Sequence, residues 1–551
     1  MNWILFGIIF GGAIVISAIS ARNTKELPDV PERMYRILFF TLLCIFSFLL
    51  FYKVGEIPIP YHVDEAGMVY DASSLASYGT DRWGYHYPVY LINYGGGQSA
   101  LYMYLAAASI KLFGYSVTAV RLPAIFFSLL STAVFAVLVR KAYGNTDSLI
   151  ALGVFCFLPF SVMHSRWGLD AYLLFPMLIL SCTALYSAVK TDRNRLFILS
   201  GCLFGVTLYS YAVSYILVPV FLGSVLIFLL LNRRIRAGQL AGLILPILLL
   251  ALPLILLLAV NNGLIGEIHT PYFSVPKLFA YRGSEFSIGN ILQNLRFGER
   301  NIFYNIFVWD SLRYNVIPRF GSLFYFTIPL IILGLVLCVG KSIRNIRSGE
   351  FSPDLMICFL FLISFGIQLL LPYSNVNRAC AVYFPLIWFL AAGLNFVFTK
   401  SRAAAILSCG IWLFLTVSFT GYYFREFPRE LAYELSITSV EDLAQALDFA
   451  EEININNEPV TVYGLSQPYL YTLLVKNIDP ETFRNSVEMK DQNVMSFGSY
   501  KFDPGEVSAD RVYLLRTYGW VPFELREDAF TTADFGTVTV YYSEAKPVPD
   551  R

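Results

Sequence analysis

Two adjacent carboxylates, Asp64 and Glu65, stand just after the second long apolar block. They lie in the run Tyr61-His62-Val63-Asp64-Glu65, which follows the stiff exit Pro58-Ile59-Pro60. A carboxylate so placed can take a proton from a substrate hydroxyl or amine, and its neighbour can orient it or hold that substrate. Two solvated charges beside a helix end would look the same. Asp170 follows Ser165-Arg166 at the mouth of another apolar block. A carboxylate turned to lipid is expensive, so Asp170 either faces a wet cavity or closes an ion pair with Arg166. Arg378, beside Asn375 and Asn377, opens a late apolar block. Its guanidinium can grip a phosphate through charge-assisted hydrogen bonds, or reach toward lipid headgroups. Asp81, His86 and Gln98 are further candidates for holding substrate in the same segment as Asp64. His62, His86 and Asp81 match no compact metal-ligand spacing, and packing within the loop accounts for the histidines. A divalent cation is compatible with such chemistry, but no pattern calls for one.

The elements that must position these residues are membrane helices. Of the 551 residues, 56% are hydrophobic and 14% charged, against roughly a quarter charged in an ordinary soluble domain. The apolar residues fall in long blocks separated by short charged knots, the pattern of membrane spans. In lipid every backbone polar group must be bonded within its own segment, which selects a helix bundle. No block alternates as a barrel strand would. Twelve spans are expected, at about 2–20, 37–52, 118–139, 148–163, 171–189, 196–211, 213–231, 238–260, 322–340, 355–372, 380–398 and 403–420. The first has no basic stretch ahead of it and no cleavage site after it, so it is expected to be retained.

Every second connection is basic: Arg22, Lys25, Arg33 and Arg36; Arg140 and Lys141; Lys190, Arg193 and Arg195. The series goes on with Arg233, Arg234 and Arg236, then Lys341, Arg344 and Arg347, then Lys400 and Arg402. Basic connections stay in the cytoplasm. The expected orientation therefore puts both termini, the segments 53–117 and 261–321 and the tail 421–551 on the extracytoplasmic side of a cell membrane. The tail carries net charge −11 and the 420 residues before it +12, an asymmetry that argues against nucleic acid as a partner. All eight cysteines (Cys44, Cys156, Cys182, Cys202, Cys338, Cys358, Cys380 and Cys409) fall within or beside apolar blocks and read as packing residues.

The domain organisation expected is a transmembrane domain over 1–420 and a small α/β ectodomain over 421–551. In the tail a helix is expected at 439–453, capped by Ser439 or Thr438, with Glu441 and Asp442 at its positive end. Val460–Tyr463, Val512–Leu515 and Val538–Tyr542 read as strands. An amphipathic run at 98–113 is too short to span and is expected at the interface.

This layout resembles the GT-C superfamily of membrane glycosyltransferases, especially its protein-mannosyltransferase and aminoarabinose-transferase-like branch. The matching features are Asp64-Glu65 early in the first outer loop, Leu112-Phe113-Gly114 with Arg121-Leu122-Pro123, Ser165-Arg166 with Asp170, and Asn377-Arg378-Ala379 with Pro385. Their order and common placement, over roughly 37–400, carry the resemblance. It implies transfer of a sugar from a polyprenyl-phosphate donor to an outer acceptor, whether protein, glycan, teichoic acid or lipid, with inversion. Asp64 matches the position of the family's general base, Glu65 would orient it, and Asp170 would be a second acidic residue. Arg378, Arg166 and Asn377 would contact substrate. The chain departs from the aminoarabinose-transferase branch at Asn93–Gln98, where a Gly-rich turn and Gln98 stand in place of a Lys-Pro-Pro element. The segment 261–321 carries His269, Lys277, Arg282, Arg296, Arg300, Arg313 and Arg319, enough to serve as a cationic lid or simply to bind headgroups.

The rival reading is a transporter or flippase of lipid-linked saccharides. It predicts ionisable residues in mid-span and inverted repeats. The span centres are nearly free of charge, and the halves show no repeat.

Overall fold

The computed structural model describes residues 2–21, 28–93, 96–279, 287–296, 301–308, 314–434, 439–454, 458–503, 505–508, 510–517, 521–522, 525 and 530–543. Ten helices among these, from Trp3–Ser20 to Arg402–Arg425, are long and apolar enough to cross a membrane. The chain is a multi-pass membrane protein. The two other expected spans are shorter. Asn145–Phe157 has 13 residues and Asn194–Thr207 has 14, about 20 Å each at 1.5 Å per residue against a hydrocarbon core of about 30 Å. Proline explains the first. Pro159 pushes Leu158 into an extended conformation, so the helix stops at Phe157 and a new one starts at Pro159–His164.

By contacts the chain divides into two compact units, and not at residue 420. One holds 1–54, 121–255 and 282–427; the other holds 55–120, 256–281 and 428–551. The first outer segment and the tail, assigned to separate domains on sequence, share the second unit.

The first unit is all helix. Ala171–Thr191 and Val376–Lys400 are its most enclosed helices, with 83% and 78% of their apolar windows buried. Trp3–Ser20, Glu32–Phe51 and Arg402–Arg425 turn most of their apolar surface outward, as helices bathed in lipid do. Ile328–Ser348 packs closely on Val376–Lys400 because glycine stands at the crossing on both. A Cβ on Gly334 would lie 1.8 Å from the Phe389 carbonyl oxygen, and one on Gly393 would lie 2.1 Å from that of Leu330. Several basic connections meet one another at one end. Arg140 pairs with Glu32, Asp147 accepts from Asn395 at 2.5 Å, Lys341 lies 4.4 Å from the Tyr143 ring, and Arg234 donates to the Gly349 carbonyl.

The second unit is α/β. Its seven-stranded mixed sheet is centred on Val460–Tyr463, which pairs in parallel with Tyr513–Arg516 on one side and Tyr500–Lys501 on the other. Val538–Tyr542 and Thr531–Phe535 extend it antiparallel. Val440–Ile453 packs on the sheet, its Ser439 cap accepting from the Asp442 N–H; the alternative cap, Thr438, lies outside the described residues. The tail helix Pro468–Val475 packs on Val63–Tyr78, the helix that opens with Asp64-Glu65. Leu101–Phe113 packs on the same helix and leaves Leu112 and Phe113 exposed, as an interfacial helix would.

Candidate active site

Val63–Tyr78 starts where the Pro58–Pro60 stretch releases the chain. Its N-cap is His62, whose Nδ1 accepts the Asp64 N–H at 3.3 Å. Burial holds the His62 pKa below its usual value, against the pull of Asp64 and Glu65. A neutral imidazole suits that acceptor role. Asp64 Oδ2 is 3.7 Å from the same nitrogen, and about a third of the Asp64 side chain remains exposed. Glu65 is fully buried. Both carboxylates sit in the first turn, where the helix dipole favours negative charge.

Tyrosines surround this turn. Tyr61 Oη lies 3.4 Å from Tyr115 Oη, and Tyr471, from the tail, donates to the Tyr61 carbonyl at 3.0 Å. Burial, then the charges of Asp64 and Glu65, raise the Tyr471 pKa, so it stays a neutral donor. Gln98 supports the turn from behind. Its Nε2 donates to the Asp64 carbonyl at 3.3 Å, and its Oε1 accepts from Asn93 at 2.6 Å. Gly67 makes room for that amide, since a Cβ there would lie 2.7 Å from the Asn93 side chain.

Asp81 and Arg82 are buried. Asp81 Oδ1 accepts the N–H groups of Trp83 at 3.0 Å and Tyr85 at 2.9 Å. Its Oδ2 is buried with no partner among the described residues. Burial and then the nearby Asp71 charge push the Asp81 pKa up to about 8. Its visible work is to hold its own turn. Arg82 forms a two-pronged pair with Asp71 at 2.9 and 2.6 Å, donates to the Gly67 carbonyl and reaches Tyr469 Oη at 3.4 Å. Leaving one charge of such a pair alone costs roughly 3–5 kcal/mol. His86 is exposed on the bridge to Thr80.

The first unit carries the other polar cluster. Asp170 is buried and caps Ala171–Thr191, accepting the Ala171 N–H at 2.9 Å. Asn375 caps Val376–Lys400 by accepting from the Arg378 N–H at 2.8 Å. Gln368 donates to the Arg378 carbonyl at 2.7 Å, and Asn377 donates to Tyr314 Oη at 3.0 Å. The Arg378 guanidinium lies 4.1 Å from the Tyr373 ring centre and donates to Tyr373 Oη at 3.2 Å. Arg166 is buried, and its Nη atoms donate to the carbonyls of Leu49, Leu50 and Tyr52 at 2.6–2.7 Å. Those are orphan acceptors where a helix ends. Arg121 sits 5.0 Å from the Trp167 ring centre and donates to the Val54 carbonyl.

The structure thus gathers Asp64, Glu65 and Gln98 in one unit and Asp170, Asn377 and Arg378 in the other, and gives Arg166 and Asp81 bonds that hold the fold. Sequence reasoning passed over Asp71, Arg82, Tyr469 and Tyr471. Nothing local marked Asp71 as the partner of Arg82, or the tail tyrosines. Of the expected lid cations, Arg282, Arg300 and Arg313 lie outside the described residues. No group of three or more His, Cys, Asp or Glu among the described residues could hold a metal ion.

Residues 98–259 match the sequence model of the dolichyl-phosphate-mannose-protein mannosyltransferase family. No curated protein matches the chain. ArnT from Cupriavidus metallidurans, solved bound to undecaprenyl phosphate, superposes with a TM-score of 0.51 at 15% identity, covering 93% of this chain and 98% of that one. Its apo state gives 0.52 at 14% identity, over 92% and 98%. The chain has the ArnT-type fold, and the likeness to GT-C membrane glycosyltransferases read from the sequence holds.

Proposed function

We propose that this ArnT-type chain transfers a sugar from a polyprenyl-phosphate donor to an extracytoplasmic acceptor. Asp64 carries the proposal, as a carboxylate in the first turn of a helix, partly open to solvent and backed by a buried acid and tyrosine hydroxyls. In this reading Asp64 takes the proton from the acceptor hydroxyl or amine, and the freed lone pair attacks the anomeric carbon. The bond from that carbon to the phosphate oxygen breaks, and polyprenyl phosphate leaves with the electron pair. A single displacement inverts the anomeric centre. Glu65 steadies its neighbour, and Arg378 binds the departing phosphate, where a preformed cation lowers the barrier. In this reading the basic connections face the cytoplasm, with the site and both termini on the other side.

The ArnT structure bound to undecaprenyl phosphate supports the choice of donor. The test incubates membranes holding the chain with a panel of radiolabelled polyprenyl-phosphate sugars and follows the label. One donor should be consumed. A general base contributes about 10²–10⁴-fold, so Asp64→Asn should lower turnover by that factor and leave donor binding and expression intact. Near-normal turnover in Asp64→Asn, with collapse in Asp170→Asn, would move the base to Asp170.

A further inference from the structure

A cavity of about 220 Å³ opens in the second unit, beside the helix that carries Asp64, and the proposed mechanism leaves it unused. Its walls combine aromatic rings with carboxamides: Trp83, Phe279 and Tyr469, then Asn93, Gln467 and Gln492. The rings are fixed before anything binds. Trp83 meets Phe279 edge-on at 5.1 Å and Phe483 at 5.5 Å, and its indole N–H donates to the Ile92 carbonyl at 3.1 Å. Tyr469 is held by Arg82 through its hydroxyl.

The amides are presented by strained backbone. Gln467 and Gln492 have φ of 54° and 69°, a left-handed conformation that costs a long side chain about 1–2 kcal/mol. Their side-chain amides make no hydrogen bond to the described residues. Gln492 is exposed at the tip of the hairpin joining Glu488–Lys490 to Asn493–Phe497. At Gln492 that conformation belongs to the two-residue hairpin turn it shares with Asp491, φ 49°; at Gln467 no hairpin demands it, and such strain clusters where ligands are held.

The charge pattern narrows the ligand. Among the described residues the lining holds one acid, Asp491, and no Lys, Arg or His. A phosphate or uronate would meet repulsion and no cation. Flat aromatic faces with amide donors and acceptors instead suit a ring that has apolar C–H faces and a rim of hydroxyls. The wall is also wired to the base, since Asn93 donates to Gln98 and Gln98 to the Asp64 carbonyl.

We infer that this cavity is an acceptor subsite that takes one neutral sugar ring, which makes the acceptor a neutral glycan rather than a peptide or an anionic polymer. The inference rests on the glycosyltransferase reading above and names its acceptor class. Binding to Asn93 would be felt at Asp64 through the Gln98 amide, so an occupied subsite would settle the turn that carries the base.

The test uses the full chain in nanodiscs and saturation-transfer NMR. The probes are mannotriose, galactotriose and N-acetylchitotriose, with trigalacturonate and a Ser/Thr-containing hexapeptide beside them. At least one neutral trisaccharide should take up saturation. Gln492→Trp, which fills the cavity from an exposed position, should abolish that signal, and Gln492→Ala should weaken binding about 2- to 10-fold, the value of one neutral hydrogen bond. Melting temperature and undecaprenyl-phosphate binding should hold in both variants. Binding of trigalacturonate or the peptide at least as tight as any neutral probe would overturn the subsite. So would a neutral signal that survives Gln492→Trp. If the unaltered chain binds undecaprenyl phosphate but no neutral trisaccharide, the subsite alone fails; if it binds no polyprenyl phosphate, the glycosyltransferase reading fails.

Discussion

Arg378 is held at three points before any ligand arrives. Asn375 fixes its N–H, Gln368 fixes its carbonyl, and Tyr373 supports its guanidinium. The first two bonds belong to the backbone and survive truncation of the side chain. Arg378→Ala should therefore fold and still weaken undecaprenyl-phosphate binding about 10- to 100-fold, the worth of a charge-assisted hydrogen bond of about 1.5–3 kcal/mol. Arg378→Lys should recover only part, because an ammonium offers no fork and no flat face to Tyr373. A fluorescence titration with the lipid phosphate reads both. Unchanged affinity in Arg378→Ala would take the phosphate contact away from this residue. Arg166 shows why charge alone does not choose a phosphate ligand. Its guanidinium is engaged by the carbonyls of Leu49, Leu50 and Tyr52, so its replacement should first loosen a helix end.

The turn from Thr80 to Tyr85 rests on two neighbouring side chains in opposite states. Arg82 is charged and matched by Asp71, whereas Asp81 is buried with one oxygen unpartnered among the described residues. Burial, then the Asp71 charge, raises the Asp81 pKa to about 8, from an unfolded value near 3.9. Between those values the folded chain holds a proton that the unfolded chain has released, so stability falls as pH rises through that window. One such proton sets a slope of at most about 1.4 kcal/mol per pH unit. Asp81→Asn keeps an oxygen for the Trp83 and Tyr85 N–H groups and removes the titration. Thermal melts from pH 6 to 8 should decline less steeply for Asp81→Asn than for the unaltered chain. Identical slopes would mean that Asp81 is ionised in the folded turn.

Across the whole molecule, basic connections gather at one end of the helical unit, where Glu32, Asp147 and Asp354 lie beside Arg140, Asn395 and Lys341. With that end in the cytoplasm, Arg193→Cys should resist an impermeant maleimide in intact cells, while Lys490→Cys should react. Labelling at 193 would reverse the orientation and with it the outward assignment of Asp64. The joining of residues 55–120 with 428–551 in one unit also carries a consequence. Tyr469 accepts from Arg82 and Tyr471 donates to the Tyr61 carbonyl, so the tail supplies side chains to the surroundings of the proposed base.

Hydropathy and charge by themselves determined the membrane class and the alternation of the connections, because lipid imposes those patterns one segment at a time; of the twelve spans they pointed to, ten are helices long enough to cross. Local rules also placed the Ser439 cap, the Val440–Ile453 helix and the strands Val460–Tyr463 and Val538–Tyr542, each readable within a few residues. Asp64, Gln98 and Arg378 stood out because polar groups beside apolar blocks are conspicuous. Only the tertiary structure decided which of these groups keep free chemistry. Arg166 and Asp81 are the same residue types as Arg378 and Asp64, yet packing committed one to helix-end carbonyls and the other to its own turn. Nor does any period in the chain tell that Tyr471 meets Tyr61, 410 residues earlier. Periodicity reports the face a residue presents, whereas the partner on that face is chosen by burial and close packing of distant segments.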